Sequence, residues 1–120
     1  MIIKHFEINK LKLNNNFYLF FGNNEGLKEQ TIKDLFEKKF LDKIHRYEER
    51  EILENTDSFF NNILTKSFFD NEKLIIISRV TDKIKTVIEE LIEKNPEDVQ
   101  FILNSKNLEK KSNLRKLFEK

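Results

Sequence analysis

Continuous apolar runs and helically spaced apolar positions alternate along this chain. Residues 17–21, 74–77 and 101–103 are uninterrupted apolar runs, and Val99 precedes the last of them. Short runs without polar alternation are typical of strands that are buried on both faces of a parallel sheet. The pattern therefore predicts three buried strands.

Amphipathic helices are predicted after each of these strands and before the second. Apolar residues there recur every three or four positions, with charged residues between them. The predicted helices span residues 25–41, about 57–66, 82–94, and a last stretch that runs into the final residue. Their apolar positions are Leu27, Ile32, Leu35, Phe36, Phe40 and Leu41; Phe59, Phe60, Ile63 and Leu64; Ile84, Val87, Ile88, Leu91 and Ile92; and Leu108, Leu114, Leu117 and Phe118.

The remaining segments are less regular. Residues 43–47 are interpreted as an edge strand. The acidic run 48–54 is expected to be a loop, and Asp57 is expected to cap the helix that follows. Residues 2–13 alternate weakly and fit either a strand or a short helix at the sheet edge.

The order of these elements predicts an α/β fold. Strands that alternate with helices form a parallel sheet with helices on both faces, which gives three layers. The chain has 120 residues and a mass of 14.5 kDa, the size of one domain. It has only 2 glycines and 1 proline, and no linker is apparent.

The composition limits the cellular compartment and the kinds of binding partner that we expect for this protein. The chain has no cysteine, which excludes disulfides and thiolate zinc sites and fits a reducing cytoplasm. Its 22 basic and 21 acidic residues give a net charge of +1, so overall charge offers no case for binding to nucleic acid or membrane. The longest apolar run, 17–21, is too short to cross a bilayer. We expect a cytoplasmic protein with no membrane partner.

The turn after the first buried strand resembles an incomplete phosphate-binding loop. Ligands of open parallel sheets bind at the carboxyl ends of the strands, and this turn contains Gly22, Gly26 and Lys28. In a working loop the second glycine would come one residue later, and a serine or threonine would replace Glu29 to bind magnesium. Glu25 adds a negative charge. We therefore expect Gly22, Gly26 and Lys28 not to bind a nucleotide.

The second buried strand is not followed by the acidic residues that an ATPase uses to hold magnesium. Ser78 and Arg79 stand there instead. We expect no cofactor and no intrinsic ATPase activity. The residues that follow the three strands, Gly22, Ser78 and Asn104, also include no carboxylate, which disfavours a receiver-like domain.

Neither the histidines nor the basic last helix predict a site. His5 and His45 are far apart in sequence, and the glutamates near His45 are more typical of a solvated loop, so no metal is assigned. The basic residues of the last helix are mixed with glutamates and lack aromatic neighbours for base stacking, which indicates a solvated face. They are Lys106, Lys110, Lys111, Arg115, Lys116 and Lys120.

Two adjacent phenylalanines are the most unusual local feature. Ser67, Phe68 and Phe69 follow a helix whose core face already has four apolar residues. If the helix continued, Phe68 would lie four residues after Leu64 and would join that face. An exposed aromatic side chain at a loop tip is instead typical of an anchor for a partner's apolar pocket. The residues alone leave both interpretations open.

Three stretches of the chain, taken together, resemble one family. Residues 17–24, 66–77 and 98–118, including the segment 104–110, resemble the N-terminal part of the delta subunit of the bacterial DNA polymerase III clamp loader. These stretches are distributed over most of the chain, from residue 17 to residue 118, in the order and spacing of the family.

The resemblance implies a RecA-like AAA+ core with a P-loop ancestry but no catalysis, within the polymerase III holoenzyme. Such a module binds the β sliding clamp and helps to open it during DNA replication. In the family a hydrophobic pair, usually Leu-Phe, inserts into the clamp. The matching residues are Phe68 and Phe69, next to Ser67, and the departure from leucine makes Phe69 the safer assignment. The alternative is a small divergent P-loop nucleotide phosphohydrolase.

The resemblance also implies a longer architecture. Residues 1–120 would be an N-terminal AAA+-like domain that is incomplete at its C-terminal end. The last strand of the sheet, the helical lid and the collar that contacts the other loader subunits would be absent here, and DNA would be contacted only indirectly. The absent strand would flank residues 17–21, so we expect an open apolar edge there.

Overall fold

Six strands form one mixed sheet in the computed structural model, which describes residues 2–5, 8–13, 16–22, 25–37, 40, 43–66, 73–94, 99–106, 108–109 and 111–119. The strands are β1 (Ile2–His5), β2 (Ile8–Leu13), β3 (Phe17–Gly22), β4 (Ile44–Glu48), β5 (Lys73–Val80) and β6 (Val99–Ser105). Their order across the sheet is β1-β2-β3-β6-β5-β4. Strands β3, β6, β5 and β4 run parallel to one another, and β1 and β2 are antiparallel additions.

The central strands coincide with the apolar runs of the sequence. Almost every side chain of β3, β5 and β6 is buried, because helices cover both faces of these strands. Phe17 lies opposite Phe101, and Ile77 lies opposite Leu103. The three predicted strands are confirmed, as is the edge strand at 43–47, which is β4.

The hairpin of β1 and β2 resolves the two interpretations of residues 2–13. Strand β2 pairs with β3 along its whole length, from Leu13 opposite Phe17 to Ile8 opposite Gly22. The expected open edge beside residues 17–21 is therefore wrong, since the backbone on that side of β3 pairs with β2. The sheet instead ends at β1 on one side and β4 on the other.

The helices follow the predicted order. They are α1 (Glu25–Ile32), which continues into a π-helical turn (Lys33–Glu37), α2 (Glu49–Glu54), α3 (Thr56–Lys66), α4 (Lys85–Lys94), which a 3₁₀ turn (Asp82–Ile84) precedes, and α5 (Asn113–Glu119). The last helix begins five residues after Leu108, which packs against the core from outside the helix. Across the described residues, the helices lack the length and apolar character that crossing a membrane requires.

The acidic run 48–54 forms α2, so the loop prediction is wrong. Glu48 and Glu51 form a reciprocal capping box, in which the Glu48 backbone N–H donates to Glu51 Oε1 at 3.0 Å. These carboxylates satisfy amide groups that the first turn of a helix leaves unbonded, so an acidic run can start a helix.

The cap of α3 also differs from the prediction. Asn55 precedes the helix, and its Oδ1 accepts a hydrogen bond from the Ser58 backbone N–H at 3.3 Å. Asp57 lies within the first turn. Asparagine and aspartate are about equally good caps, and the helix begins two residues earlier than Asp57 would require.

Two hydrophobic cores lie on opposite faces of the sheet, which confirms the three-layer α/β prediction. The larger core packs α2, α3, α4 and α5 against the sheet. At its centre the rings of Phe17 and Phe101 stack with centroids 4.8 Å apart and planes inclined by 7°. The smaller core packs α1 and the π-helical turn against Phe20, Ile76 and Ile102.

The π-helical turn keeps one side of the first helix against the sheet. Ile32, Phe36 and Phe40 follow one another at intervals of four residues and are all buried. In an α-helix this interval exceeds one turn, so the side chains would drift around the axis, and the wider π turn reduces that drift. Leu35, predicted to join this apolar stripe, is 53% exposed. Leu41 lies outside the described residues.

Candidate functional site

A cleft of about 1120 Å³ lies where the parallel strands β5 and β6 end. The first two turns of α1 contribute Glu25 and Glu29, the end of β5 contributes Ser78 and Arg79, and the end of β6 contributes Asn104. This is the edge of an open parallel sheet at which ligands bind, and it is where the sequence placed the incomplete phosphate loop.

The phosphate-loop residues lie at the end of β3 and in the first turn of α1, the turn whose Glu25 lines the cleft. Gly22 ends β3 with a φ of 134°, a conformation that favours glycine because it has no Cβ. Gly26 is in the first turn of α1, and Lys28 is in the same turn one residue beyond Leu27. The structure thus brings the three residues to the expected turn and helix.

Lys28 makes its contacts within the protein. Its side chain is fully buried, and its Nζ donates hydrogen bonds to Glu25 Oε1 at 2.6 Å and to the Ser105 carbonyl oxygen at 2.5 Å. In a nucleotide-binding loop the lysine at this place contacts phosphate oxygens. Here a carboxylate and a carbonyl oxygen of the chain stand in that position.

The end of β5 has an irregular backbone. The register of β5 with β6 shifts between Ser78 and Val80, and Arg79 has a φ of 56°. A positive φ is uncommon for arginine and costs free energy. The exposed Arg79 side chain forms an ion pair with Glu48, with Nε 3.3 Å from Oε1. The Ser105 hydroxyl donates to the Val80 carbonyl oxygen at 2.7 Å and joins the two strand ends.

Glu49, the first residue of α2, links that helix to the turn after β5. Its largely buried carboxylate accepts hydrogen bonds from the Thr81 backbone N–H at 2.7 Å and from the Thr81 hydroxyl at 2.8 Å. Thr81 Oγ1 in turn accepts from the Lys83 backbone N–H and caps the 3₁₀ turn. These bonds hold one rim of the cleft against the sheet.

Asp82 links the same turn to the start of α5. Its carboxylate accepts from the Ser112 hydroxyl at 2.5 Å and from the backbone N–H groups of Asn113 and Leu114 at 3.1 and 3.2 Å. The hydrogen bond from Ser112 is the main reason that the pKa of Asp82 is lowered, and the two backbone donors add to the effect. The sequence pattern predicts only that Asp82 begins its own helix, and it carries no signal for these contacts to α5.

The basic residues of the last helix were predicted to form a solvated face, and Arg115 differs from this prediction because it is partly buried. It is half-buried, its Nη1 donates to the Leu108 carbonyl oxygen at 2.9 Å, and its guanidinium lies over the Phe21 ring at 4.9 Å. It therefore attaches the segment before α5 to the sheet. Lys106, Lys111 and Lys116 are exposed as predicted, whereas Lys110 and Lys120 lie outside the described residues.

The remaining predicted positions are the segment 67–69 and the two histidines. Ser67, Phe68 and Phe69 lie outside the described residues, between α3 and β5. His5 is in β1 and His45 in β4, the two outermost strands of the sheet. Within the described ranges, no group of three histidine or acidic side chains is arranged to hold a metal ion.

Comparison with known proteins gives one family match. The family model described as "DNA polymerase III, delta subunit" matches residues 18–120. No curated protein and no solved structure is significantly similar to the chain. The match begins in β3 and includes every element that forms the cleft.

Proposed function

Because this chain belongs to the DNA polymerase III delta-subunit family, we propose that it binds the ring-shaped β sliding clamp and helps to open it during DNA replication. The family implies a clamp-loader subunit that acts in replication. In this proposal the chain uses binding free energy to favour the opened form of the clamp, since a ligand shifts an equilibrium toward the state that it binds more tightly.

The family match over residues 18–120 is the observation that carries the proposal. It covers the parallel part of the sheet and all of the helices. The observed three-layer α/β architecture is consistent with the RecA-like core that the proposal assumes. We propose that residues 1–120 act as an AAA+-like domain, with contacts to the other loader subunits made through regions beyond it and with only indirect contact to DNA.

The geometry of the cleft supports a role in binding rather than in ATP hydrolysis. Lys28 contacts Glu25 and Ser105 inside the protein, and the strand end that would hold magnesium has Ser78 and Arg79. These features count against the alternative of a small nucleotide phosphohydrolase, which needs both a lysine on the phosphates and acidic residues for the metal.

We assign the clamp anchor to Phe68 and Phe69, with Ser67 beside them. They lie between the end of α3 at Lys66 and the start of β5 at Lys73, where the family's hydrophobic pair is expected. The sheet-facing side of α3 already buries Phe59, Phe60 and Ile63 in the larger core. This supports a role for the two following phenylalanines outside that core.

The direct test is binding of the chain to the cognate sliding clamp, measured by calorimetry or surface plasmon resonance. The double variant Phe68→Ala/Phe69→Ala is expected to raise the Kd at least about 30-fold, because loss of even one anchor residue costs about 2 kcal/mol or more. Of the single variants, Phe69→Ala is expected to have the larger effect. Thermal unfolding of each variant checks that the fold is retained.

A matched control removes two exposed apolar side chains elsewhere. Leu35 is 53% exposed and Leu53 is 38% exposed, so Leu35→Ala/Leu53→Ala removes apolar surface without touching the proposed anchor. We expect this variant to bind the clamp as the native chain does, within about threefold. Absence of binding by the folded native chain would refute the function, and equal losses in both double variants would refute the anchor assignment.

A further inference from the structure

Lys28 is a fully buried cation that forms an ion pair with a carboxylate of the same helix turn. Its Nζ lies 2.6 Å from Glu25 Oε1, and the side chains are 0% and 58% exposed, respectively. A buried ammonium group is costly unless it is paired and hydrogen-bonded. Glu25 supplies the negative charge, and the Ser105 carbonyl oxygen accepts a second hydrogen bond.

Glu25 contacts this cation and also lines the cleft. Glu25 and Ser105 both line the cleft, whereas Lys28 does not reach its surface. An anion that entered the cleft toward Lys28 would therefore meet the Glu25 carboxylate first. Glu29, one helical turn further along α1, lines the same cleft and is exposed.

We propose that Glu25 is an internal anion that takes the place of a phosphate group on Lys28 and thereby excludes phosphates from this cleft. The ammonium group, the helix N-terminus and the cleft together make a phosphate site, and one carboxylate keeps it closed. The proposal does not depend on clamp binding. In this proposal Glu25 prevents phosphate groups from binding in the cleft, and the altered glycine spacing acts in the same direction.

The test uses the variant Glu25→Ala and inorganic pyrophosphate as the probe, followed by calorimetry. Removing the carboxylate removes a like charge from the path of the ligand and exposes Lys28 to the cleft. We expect the Kd for pyrophosphate to fall at least about tenfold relative to the native chain. Parallel titrations with ATP identify the source of the phosphate: equal affinities assign the site to the phosphate group, and tighter binding of ATP assigns it to a nucleotide.

Two further variants make the test specific. Glu29→Ala removes the same charge from the same cleft without touching the contact to Lys28, and it is expected to bind pyrophosphate as weakly as the native chain. Glu25→Ala/Lys28→Met removes the cation as well, and it is expected to lose the gained affinity. The proposal is overturned if Glu29→Ala gains as much as Glu25→Ala, or if the gain persists without Lys28.

Amine labelling gives a second readout that does not require tight binding. Lys28 of the native chain is expected to react with acetic anhydride at least about tenfold more slowly than the exposed Lys33, because its Nζ is buried. In Glu25→Ala the Lys28 rate should rise, and pyrophosphate should lower it again. A folded Glu25→Ala chain in which Lys28 stays unreactive and pyrophosphate has no effect would refute the proposal.

Discussion

Replacing Phe101 with alanine is expected to destabilise the fold by about 3–5 kcal/mol, the largest stability loss that we predict for a single substitution. Phe101 is 0% exposed and lies in β6, between β3 and β5 at the middle of the sheet. Its ring stacks on Phe17. The substitution removes the stack and leaves a cavity that the paired strands cannot close, because their register fixes the backbone on both sides.

Denaturant unfolding measures this loss, with Leu35→Ala as the control. Leu35 is also a large apolar residue but is 53% exposed, so its removal is expected to change the free energy of unfolding by about 0.5 kcal/mol or less. The midpoint for Phe101→Ala should fall at an unchanged slope. A loss below about 1 kcal/mol would show that Phe101 is not at the centre of the core.

The three apolar runs predicted the central strands because several consecutive residues in each run point to the same buried environment. Every residue of 74–77 is apolar and three of the four are β-branched, and a run this short is typical of a strand that is buried on both faces. The hairpin at 2–13 lacked this signal. Strand β1 lies at the sheet edge and β2 pairs with β3, and weak alternation cannot show which neighbour a strand selects.

The errors in the helices have local causes. The acidic composition of 48–54 predicts a loop, but carboxylates at Glu48 and Glu51 cap a helix start. The apolar positions in 25–41 fit an α-helical period that includes Leu35. The π-helical turn changes this period, and Leu35 is exposed. A period taken from sequence cannot detect a change of helix type within a segment.

The cleft was partly predictable. Its location follows from the rule for parallel sheets, and Gly22 and Lys28 identify the turn. The contacts of Lys28 were not predictable, because Ser105 is 77 residues away and acts through its backbone carbonyl, which any residue would supply. Ser112 has a local signal as a helix cap, since its Oγ accepts from the Arg115 backbone N–H, but its partner Asp82 lies 30 residues away in the 3₁₀ turn after β5.

Replacing Asp82 with asparagine is expected to destabilise the protein by about 1–2 kcal/mol at pH 7. The ionised carboxylate accepts three hydrogen bonds at the start of α5, where the helix dipole also favours negative charge. An amide is neutral and offers a single acceptor oxygen to these donors. The substitution therefore weakens the attachment of α5 to the turn after β5.

The loss from Asp82→Asn is expected to depend on pH in a defined direction. Because the folded-state pKa of Asp82 lies below its ordinary value, its stabilisation is fully present above about pH 4 and is lost as the pH falls toward the folded-state pKa. The free energies of unfolding of the native chain and of Asp82→Asn should therefore differ at pH 7 and become equal in strong acid. Asp57→Asn, which removes the same charge from an exposed position, should cost only about 0.5 kcal/mol or less at pH 7. A difference between native chain and Asp82→Asn that stays constant below pH 4 would contradict the proposed role of the carboxylate.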